Sequence, residues 1–199
     1  MRNVLLLFSC LFLLACGQNG SNPAPVAGAA DFSGYQLEPY SNGAAQRAVK
    51  KDENGNLVEE GTVINGQRSG TWITYHPDEA SERVKTITTY TNGVKNGTFV
   101  ELNDRGQVIV QCFFNNDQYD GVYSKFKFGS RKEKQISYKN GVLDGLYTEY
   151  HDNGKLRKEV PYRNGKIHGK LRNFNDQEEL VLEYEYQNGE KVSGGIVTQ

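Results

Sequence analysis

An Asn-Gly pair or a close equivalent recurs along the chain at a nearly constant interval, and this period constrains the fold more than any other feature. Successive pairs are 27, 24, 24, 24 and 24 residues apart. Intervals of this size indicate repeat units that stack on one another. The pairs are Asn65-Gly66, Asn92-Gly93, Asn116-Asp117, Asn140-Gly141, Asn164-Gly165 and Asn188-Gly189, and a second glycine follows the first five at Gly70, Gly97, Gly121, Gly145 and Gly169.

Ring-bearing residues also occupy fixed positions in each unit. Between the turns, apolar and polar residues alternate, as they do over residues 180–186, and a period of two predicts strands rather than helices. Three columns are rich in aromatic residues: Trp72, Phe99, Tyr123, Tyr147 and Leu171; Tyr75, Leu102, Phe126, Tyr150 and Phe174; and Tyr90, Phe114, Tyr138, Tyr162 and Tyr186.

The turn pairs and the strand pattern together predict hairpins. Asn-Gly supplies the positive φ that both central positions of a type I′ turn require, and this turn suits antiparallel strands. A lone two-stranded hairpin cannot bury an aromatic side, so each unit needs the next one stacked beside it. We therefore expect an all-β fold, an elongated antiparallel β-hairpin repeat array that grows by about 10 Å with each unit.

These residues resemble the bacterial variant of the MORN repeat, with a turn Asn-Gly, a second Gly, spaced aromatics and an (Asn/Asp)-Gly before the second strand. The resemblance covers about residues 50–192 and is best at residues 138–165, and it places the repeat domain at residues 49–199. The unit at residues 114–140 departs from the pattern, with KFGSRKEKQ in place of the usual second turn. Bacterial members are often labelled antitoxin components of toxin-antitoxin systems, a role that the resemblance alone implies.

The first part of the chain predicts export and attachment to a membrane. Residues 1–15 hold Arg2 followed by a short apolar run, which is typical of a secretory signal peptide. The segment Leu13-Leu14-Ala15-Cys16-Gly17 resembles a bacterial lipobox, which implies a lipid anchor on Cys16 and, with Gly17, a location at the outer membrane, either periplasmic or surface-exposed. Residues 16–48 are predicted to form a flexible tether, although the pattern at residues 35–50 favours no structure.

The composition and the motifs give no sign of catalysis, metal binding or nucleic-acid binding. Lys and Arg number 23 against 24 Asp and Glu, which excludes a basic nucleic-acid footprint. His76, His151 and His168 lack metal-ligand spacing and occupy positions that other units fill with Asn, Lys, Ser or Asp, so they are predicted to be turn residues. Cys112 shares its column with apolar residues and is expected in the core. We expect no catalytic residue, no metal, no cofactor, no small-molecule substrate and no enzymatic activity.

The aromatic columns are the remaining candidates for function, and two interpretations stay open. They form the core if the sheet folds on itself; otherwise Trp72, Tyr75, Tyr147 and Tyr150 are candidate partner-binding residues. The expected function is a lipid-anchored, non-enzymatic scaffold that binds an unknown protein partner. An alternative is binding of a glycan or another envelope polymer, which exposed rings in one groove would favour.

Overall fold

The chain folds into a single antiparallel sheet in the computed structural model, which describes residues 30–41, 43–77 and 83–197. Fourteen strands follow one another along the sheet in chain order, and two short strands pair at its margin. At about 4.8 Å per strand the path is roughly 60 Å long, so the sheet is elongated across its strands. The predicted all-β hairpin array is confirmed. No helix of sufficient length and apolarity to span a membrane occurs in the described residues.

In the described residues, seven strands precede the turn pair Asn116-Asp117 and nine strands follow it. The sixteen strands are β1 (Gln36–Pro39), β2 (Ala45–Lys51), β3 (Leu57–Ile64), β4 (Gln67–Tyr75), β5 (Val84–Thr91), β6 (Val94–Leu102), β7 (Val108–Asn115), β8 (Gln118–Tyr119), β9 (Gly121–Lys127), β10 (Arg131–Lys139), β11 (Val142–Tyr150), β12 (Leu156–Arg163), β13 (Lys166–Ile167), β14 (Gly169–Phe174), β15 (Leu180–Gln187) and β16 (Glu190–Ile196).

All six predicted turns have the backbone of a type I′ turn. Asn140 and Gly141 have φ of 48° and 77°, and the other Asn-Gly pairs are similar. Asp117 takes the second position in its turn at φ 63°, a conformation that Asp tolerates better than most residues. We call the margin that carries these turns the turn edge, and the margin that carries the other connections the loop edge.

The second glycine of each unit lies opposite an aromatic ring. Gly145 pairs with Tyr162 and has φ 110°, and a Cβ there would come within 2.8 Å of Ser137 Cβ. A Cβ at these positions would not meet the paired ring, and the glycine column is explained by the positive φ of its members, from 68° to 116°, which residues with a side chain rarely adopt. The other pairs are Gly70 with Tyr90, Gly97 with Phe114, Gly121 with Tyr138, and Gly169 with Tyr186.

The two faces of the sheet differ. We call the aromatic face the one that carries Trp72, Phe99, Tyr123 and Tyr147, and the opposite face the one that carries the residues alternating with them. Cross-strand pairs such as Ile136 with Tyr147, and Tyr147 with Val160, continue the central row of the aromatic face from strand to strand. Few side chains are fully covered in a single-layer sheet. The buried apolar residues are Ala48, Val49, Val63, Trp72, Cys112, Ile136 and Val160.

Backbone hydrogen bonds join the turns at the turn edge, from Asn92-Gly93 onward, to the unit before them. The Gly93 N–H donates to the Arg68 carbonyl at 2.9 Å, and the Gly165 N–H donates to the Leu143 carbonyl at 2.8 Å. The Asn164 N–H also donates to Asp144 at 3.1 Å. The turns therefore form a ladder of their own, an arrangement that the sequence pattern does not predict.

The sheet begins earlier than the sequence predicts. Part of the segment expected to be a tether, residues 16–48, forms β1 and most of β2, which pair in the register Gln36↔Val49. Ala48 is fully buried against the core, which ties this part of the chain to the sheet. The predicted signal peptide at residues 1–15, the predicted lipid-anchor residue Cys16 and the predicted tether through residue 29 lie outside the described residues.

Candidate functional site

The described residues contain no group of His, Cys, Asp and Glu arranged to hold a metal ion. The histidines instead connect successive units. His76 Nε2 lies 3.1 Å from the Leu102 carbonyl, and His151 Nε2 lies 2.9 Å from the Phe174 carbonyl. His168 Nδ1 accepts from the Asn188 N–H at 3.4 Å. These contacts give the three residues a structural role.

Cys112 is buried, with 1% of its surface exposed. Burial raises the pKa of its thiol to about 11. A thiol with a raised pKa and no solvent access is a poor nucleophile, so its position suits packing in the sheet rather than chemistry.

Trp72 is covered by other aromatic side chains. Only 1% of the residue is exposed, and the ring lies 6.0 Å from Phe32, 6.0 Å from Tyr35 and 6.4 Å from Tyr90, centroid to centroid. Its indole N–H donates to the Thr62 carbonyl at 3.1 Å. The candidate partner-binding role of Trp72 therefore does not fit its position, because the ring has no free face on which a partner could stack.

A cluster of polar side chains covers the outer side of the aromatic group around Trp72. The Arg68 guanidinium lies 4.1 Å from the Trp72 ring centroid and forms an ion pair with Glu59. The Tyr35 hydroxyl donates to Glu59 as well. Burial, together with this hydrogen bond to a carboxylate, raises the pKa of Tyr35 to about 12. These contacts attach the segment before β1 to the sheet.

Tyr147 lies in a groove of about 390 Å³ on the aromatic face near the loop edge. Its hydroxyl donates to Glu149, which also pairs with Arg157. Burial and the bond to Glu149 raise the pKa of Tyr147 to about 12. Lys127 pairs with Asp152 at 2.6 Å. The lining residues are Lys127, Glu133, Lys134, Tyr147, Glu149, Tyr150, Asp152 and Arg157, so cations and carboxylates are equal in number.

The other two candidate partner-binding residues, Tyr75 and Tyr150, form hydrogen bonds through their hydroxyls on the opposite face of the sheet. The Tyr75 hydroxyl donates to Glu60 at 2.6 Å, and the Tyr150 hydroxyl donates to Gln135 at 3.0 Å. Trp72 and Tyr147 are six strand spacings apart on the aromatic face, or about 29 Å. The structure therefore brings Tyr147 and Tyr150 to one groove, but it does not bring all four candidate residues together in one site.

An exposed apolar row on the opposite face was not found from the sequence. Phe113 and Val122 are each 43% exposed and Leu146 is 46% exposed. The pairing of Gln111 with Ser124 places Phe113 beside Val122, while Leu146 pairs with Pro161 further along the same row. The signal that could have revealed this row is an apolar residue at a position that should alternate outward from the aromatic columns.

The comparisons with known proteins identify one repeat. A family model described as MORN repeat variant matches residues 143–164, which span β11, the following loop and β12. No curated protein matches the chain.

One solved structure is described as "Crystal structure of GtfA/B complex bound to UDP and GlcNAc". The similarity is 15% identity over 80% of this chain, with a TM-score of 0.19, and the chain spans 24% of that structure's chain. A TM-score this low carries no argument about fold or function.

Proposed function

We propose that this protein is a non-enzymatic protein-interaction module at the bacterial envelope, and that the row of Phe113, Val122 and Leu146 contacts its partner. The observation that carries the proposal is the exposure of three large apolar side chains, between 43% and 46%, along one row of the sheet in which only Ser137 lies between Val122 and Leu146. Apolar residues that are exposed singly are common, whereas a contiguous group marks an interaction surface.

The surroundings of the row support binding to another protein. Ser137 and Pro161 lie between or beside the row residues and carry no charge. Charged pairs such as Arg172 with Glu183 at 3.0 Å lie further along the same face. An apolar centre with a charged margin is the usual composition of a protein interface. Covering each large side chain would contribute about 1–2 kcal/mol.

Attachment to the outer membrane through lipid on Cys16 is part of the proposal and is supported by the sequence before residue 30. Lipid on the first residue of the exported chain would hold the sheet at a membrane. The antitoxin label of bacterial MORN-variant proteins would be a special case in which the partner is a toxin protein.

The proposal is tested by recovery of partners from solubilised envelopes with tagged full-length protein. Phe113→Ser and Leu146→Ser together should abolish specific recovery of a partner, because the apolar centre is lost. Val192→Ser is the matched control, since Val192 is 55% exposed on the distant strand β16. Trp72 is the only tryptophan, so its fluorescence shows whether each variant is folded. Equal recovery by the double variant and the control would refute the assignment.

Glycan binding is a second candidate, and the groove at Tyr147 is the observation that favours it. Two tyrosine rings, Tyr147 and Tyr150, beside hydrogen-bonding carboxylates and cations are a suitable arrangement for a sugar. Titration calorimetry with envelope oligosaccharides should show binding that Tyr147→Ala removes and Tyr75→Phe retains. Identical titrations for the wild type and Tyr147→Ala would dismiss this candidate.

A further inference from the structure

Charge is unevenly distributed along the loop edge. Residues 127–132 contain three Lys or Arg and no Asp or Glu, whereas residues 175–179 contain three Asp or Glu and no Lys or Arg. The chain as a whole has a net charge of −1. We call residues 127–132, which comprise the end of β9, the connection and the start of β10, the basic loop, and residues 175–179, between β14 and β15, the acidic loop. The two loops therefore carry opposite charge within a nearly neutral chain.

Most of the charge on the basic loop is not neutralised within the chain. Lys127 pairs with Asp152, but Arg131 donates to the Asp152 carbonyl at 3.0 Å and Lys132 donates to the Gln135 amide oxygen at 3.4 Å. Within the described residues, neither Arg131 nor Lys132 has a carboxylate partner. Phe128 at the tip of the loop is 61% exposed. Arg131 still interacts electrostatically with the Asp152 carboxylate, Lys132 lies 5.7 Å from the Tyr150 ring centroid, and Arg105 lies 5.0 Å from the Phe128 centroid. The loop thus presents two cations without a carboxylate in ion-pair contact, beside an exposed ring.

The acidic loop is its counterpart. Asp176, Glu178 and Glu179 are exposed, and no Lys or Arg forms an ion pair with them in the part of the chain that the structure describes. Glu179 accepts only from the Asn175 amide, at 2.8 Å. Three carboxylates on one exposed connection repel one another unless an external cation approaches.

The two loops are too far apart to neutralise each other in one molecule. Four strand spacings separate the β9–β10 connection from the β14–β15 connection, or about 19 Å. This separation exceeds the Debye length of about 8 Å at physiological ionic strength. The β11–β12 connection, residues 151–155, lies halfway between them.

We propose that the loop edge is a self-complementary interface that pairs two copies of this chain in antiparallel orientation. A two-fold axis through residues 151–155 would bring the basic loop of each copy against the acidic loop of the other. Such an interface is isologous, so the same complementary contact forms twice. Phe128 becomes covered beside the acidic loop of the second copy and adds an apolar contact to the ionic ones.

The loop edge is already ordered for this contact. The Asn153 amide donates to the Asp176 carbonyl at 2.9 Å, and the contacts from Arg131 to Asp152 and from His151 to Phe174 connect the same three loops. An interface that is fixed before association loses less conformational entropy when it forms. The pairing leaves the row of Phe113, Val122 and Leu146 uncovered, so it is independent of the proposed partner surface.

The test uses two differently tagged full-length copies, co-expressed and solubilised in non-ionic detergent. Wild-type copies should co-purify at about 0.1 M salt and separate at about 1 M salt, where the Debye length falls to about 3 Å. Arg131→Glu with Lys132→Glu in both copies should reduce co-purification about tenfold or more, because like charges then face each other. Asp176→Lys with Glu178→Lys in both copies should do the same.

The decisive sample combines one copy that carries the reversed basic loop with one copy that carries the reversed acidic loop. The reversed basic loop of the first then faces the reversed acidic loop of the second, and their unaltered loops also match, so co-purification should return. Lys139→Glu with Lys166→Glu on the turn edge is the control and should change nothing, while Trp72 fluorescence confirms that each variant is folded. The proposal is overturned if wild-type copies do not co-purify, if either reversal alone has no effect, or if the mixed pair is no better than the single reversals.

Discussion

The two ends of this sheet follow the same repeat but differ in how well they are covered. At the N-terminal end, Phe32 and Tyr35 cover Trp72, which is 1% exposed. At the C-terminal end, the last strand exposes Val192 at 55% and Ile196 at 79%. The difference shows that a column position in a single-layer sheet does not determine burial. A side chain becomes buried only where another part of the chain lies over it.

Removal of the covered ring should have the largest effect on stability. Trp72→Ala should lower the free energy of unfolding by about 3–5 kcal/mol, because it leaves a cavity under Phe32 and Tyr35. Leu171→Ala, at the equivalent position near the C-terminal end, should cost about 1–2 kcal/mol, because Leu171 is only half-buried. Urea unfolding followed by circular dichroism measures both. Similar losses for the two variants would contradict the comparison.

Crowding of the core around Trp72 should have an intermediate effect on stability. A Cβ at Gly61 would come within 2.3 Å of the Trp72 ring, so Gly61→Ala must displace the indole and should cost about 1–3 kcal/mol. Gly195, near the C-terminal end, has nothing within 4 Å of such an atom. Gly195→Ala should therefore leave the urea midpoint almost unchanged. If Gly61→Ala also leaves it unchanged, the Trp72 packing described above is wrong.

A smaller effect should appear at high pH. The pKa of Tyr35 and that of Tyr147 are both raised to about 12 from an ordinary value of 10.0, first by burial and then by bonds to Glu59 and Glu149. A raised pKa means that the folded state holds the proton more tightly. Its contribution to stability is complete below pH 10 and is lost as the pH rises towards 12.

Tyr35→Phe tests the covered end, and Tyr147→Phe tests the open groove. Each variant should show a shallower decrease in melting temperature between about pH 10 and about pH 12 than the wild type. The ionisation of the remaining groups is common to all three proteins, so only the difference between their slopes is informative. Identical slopes would show that neither hydroxyl contributes through its carboxylate partner.

The sequence predicts the features that depend on local conformation. Type I′ turns require positive φ, which Asn-Gly pairs supply, so the turns and the antiparallel pairing of consecutive strands could be predicted from residue type and spacing. Burial could not be predicted in the same way. Trp72 and Tyr147 occupy the same column, but only Trp72 lies beneath Phe32 and Tyr35, which belong to a segment whose composition suggested a tether.

The exposed row was missed for a related reason. Phe113, Val122 and Leu146 lie outside the aromatic columns. Val122 and Leu146 are equivalent positions of neighbouring units, but other units carry Thr or Lys there, and the position of Phe113 is filled elsewhere by Thr, Ser, Pro or Glu. Repetition reveals what the units share, whereas a binding surface or a charged loop is specific to a few units. The basic loop was visible in the sequence only as a departure from the pattern at residues 114–140.

The hydrogen bonds from each turn to the preceding unit have a consequence for how such a protein can change in length. Because the Gly165 N–H meets the Leu143 carbonyl just as the Gly141 N–H meets the Tyr119 carbonyl, every internal unit offers the same acceptor and the same donor to its neighbours. A duplicated or deleted segment of 24 residues would find its bonds already provided. Evolution could therefore alter the distance between the two ends of the molecule in whole steps without redesigning either end.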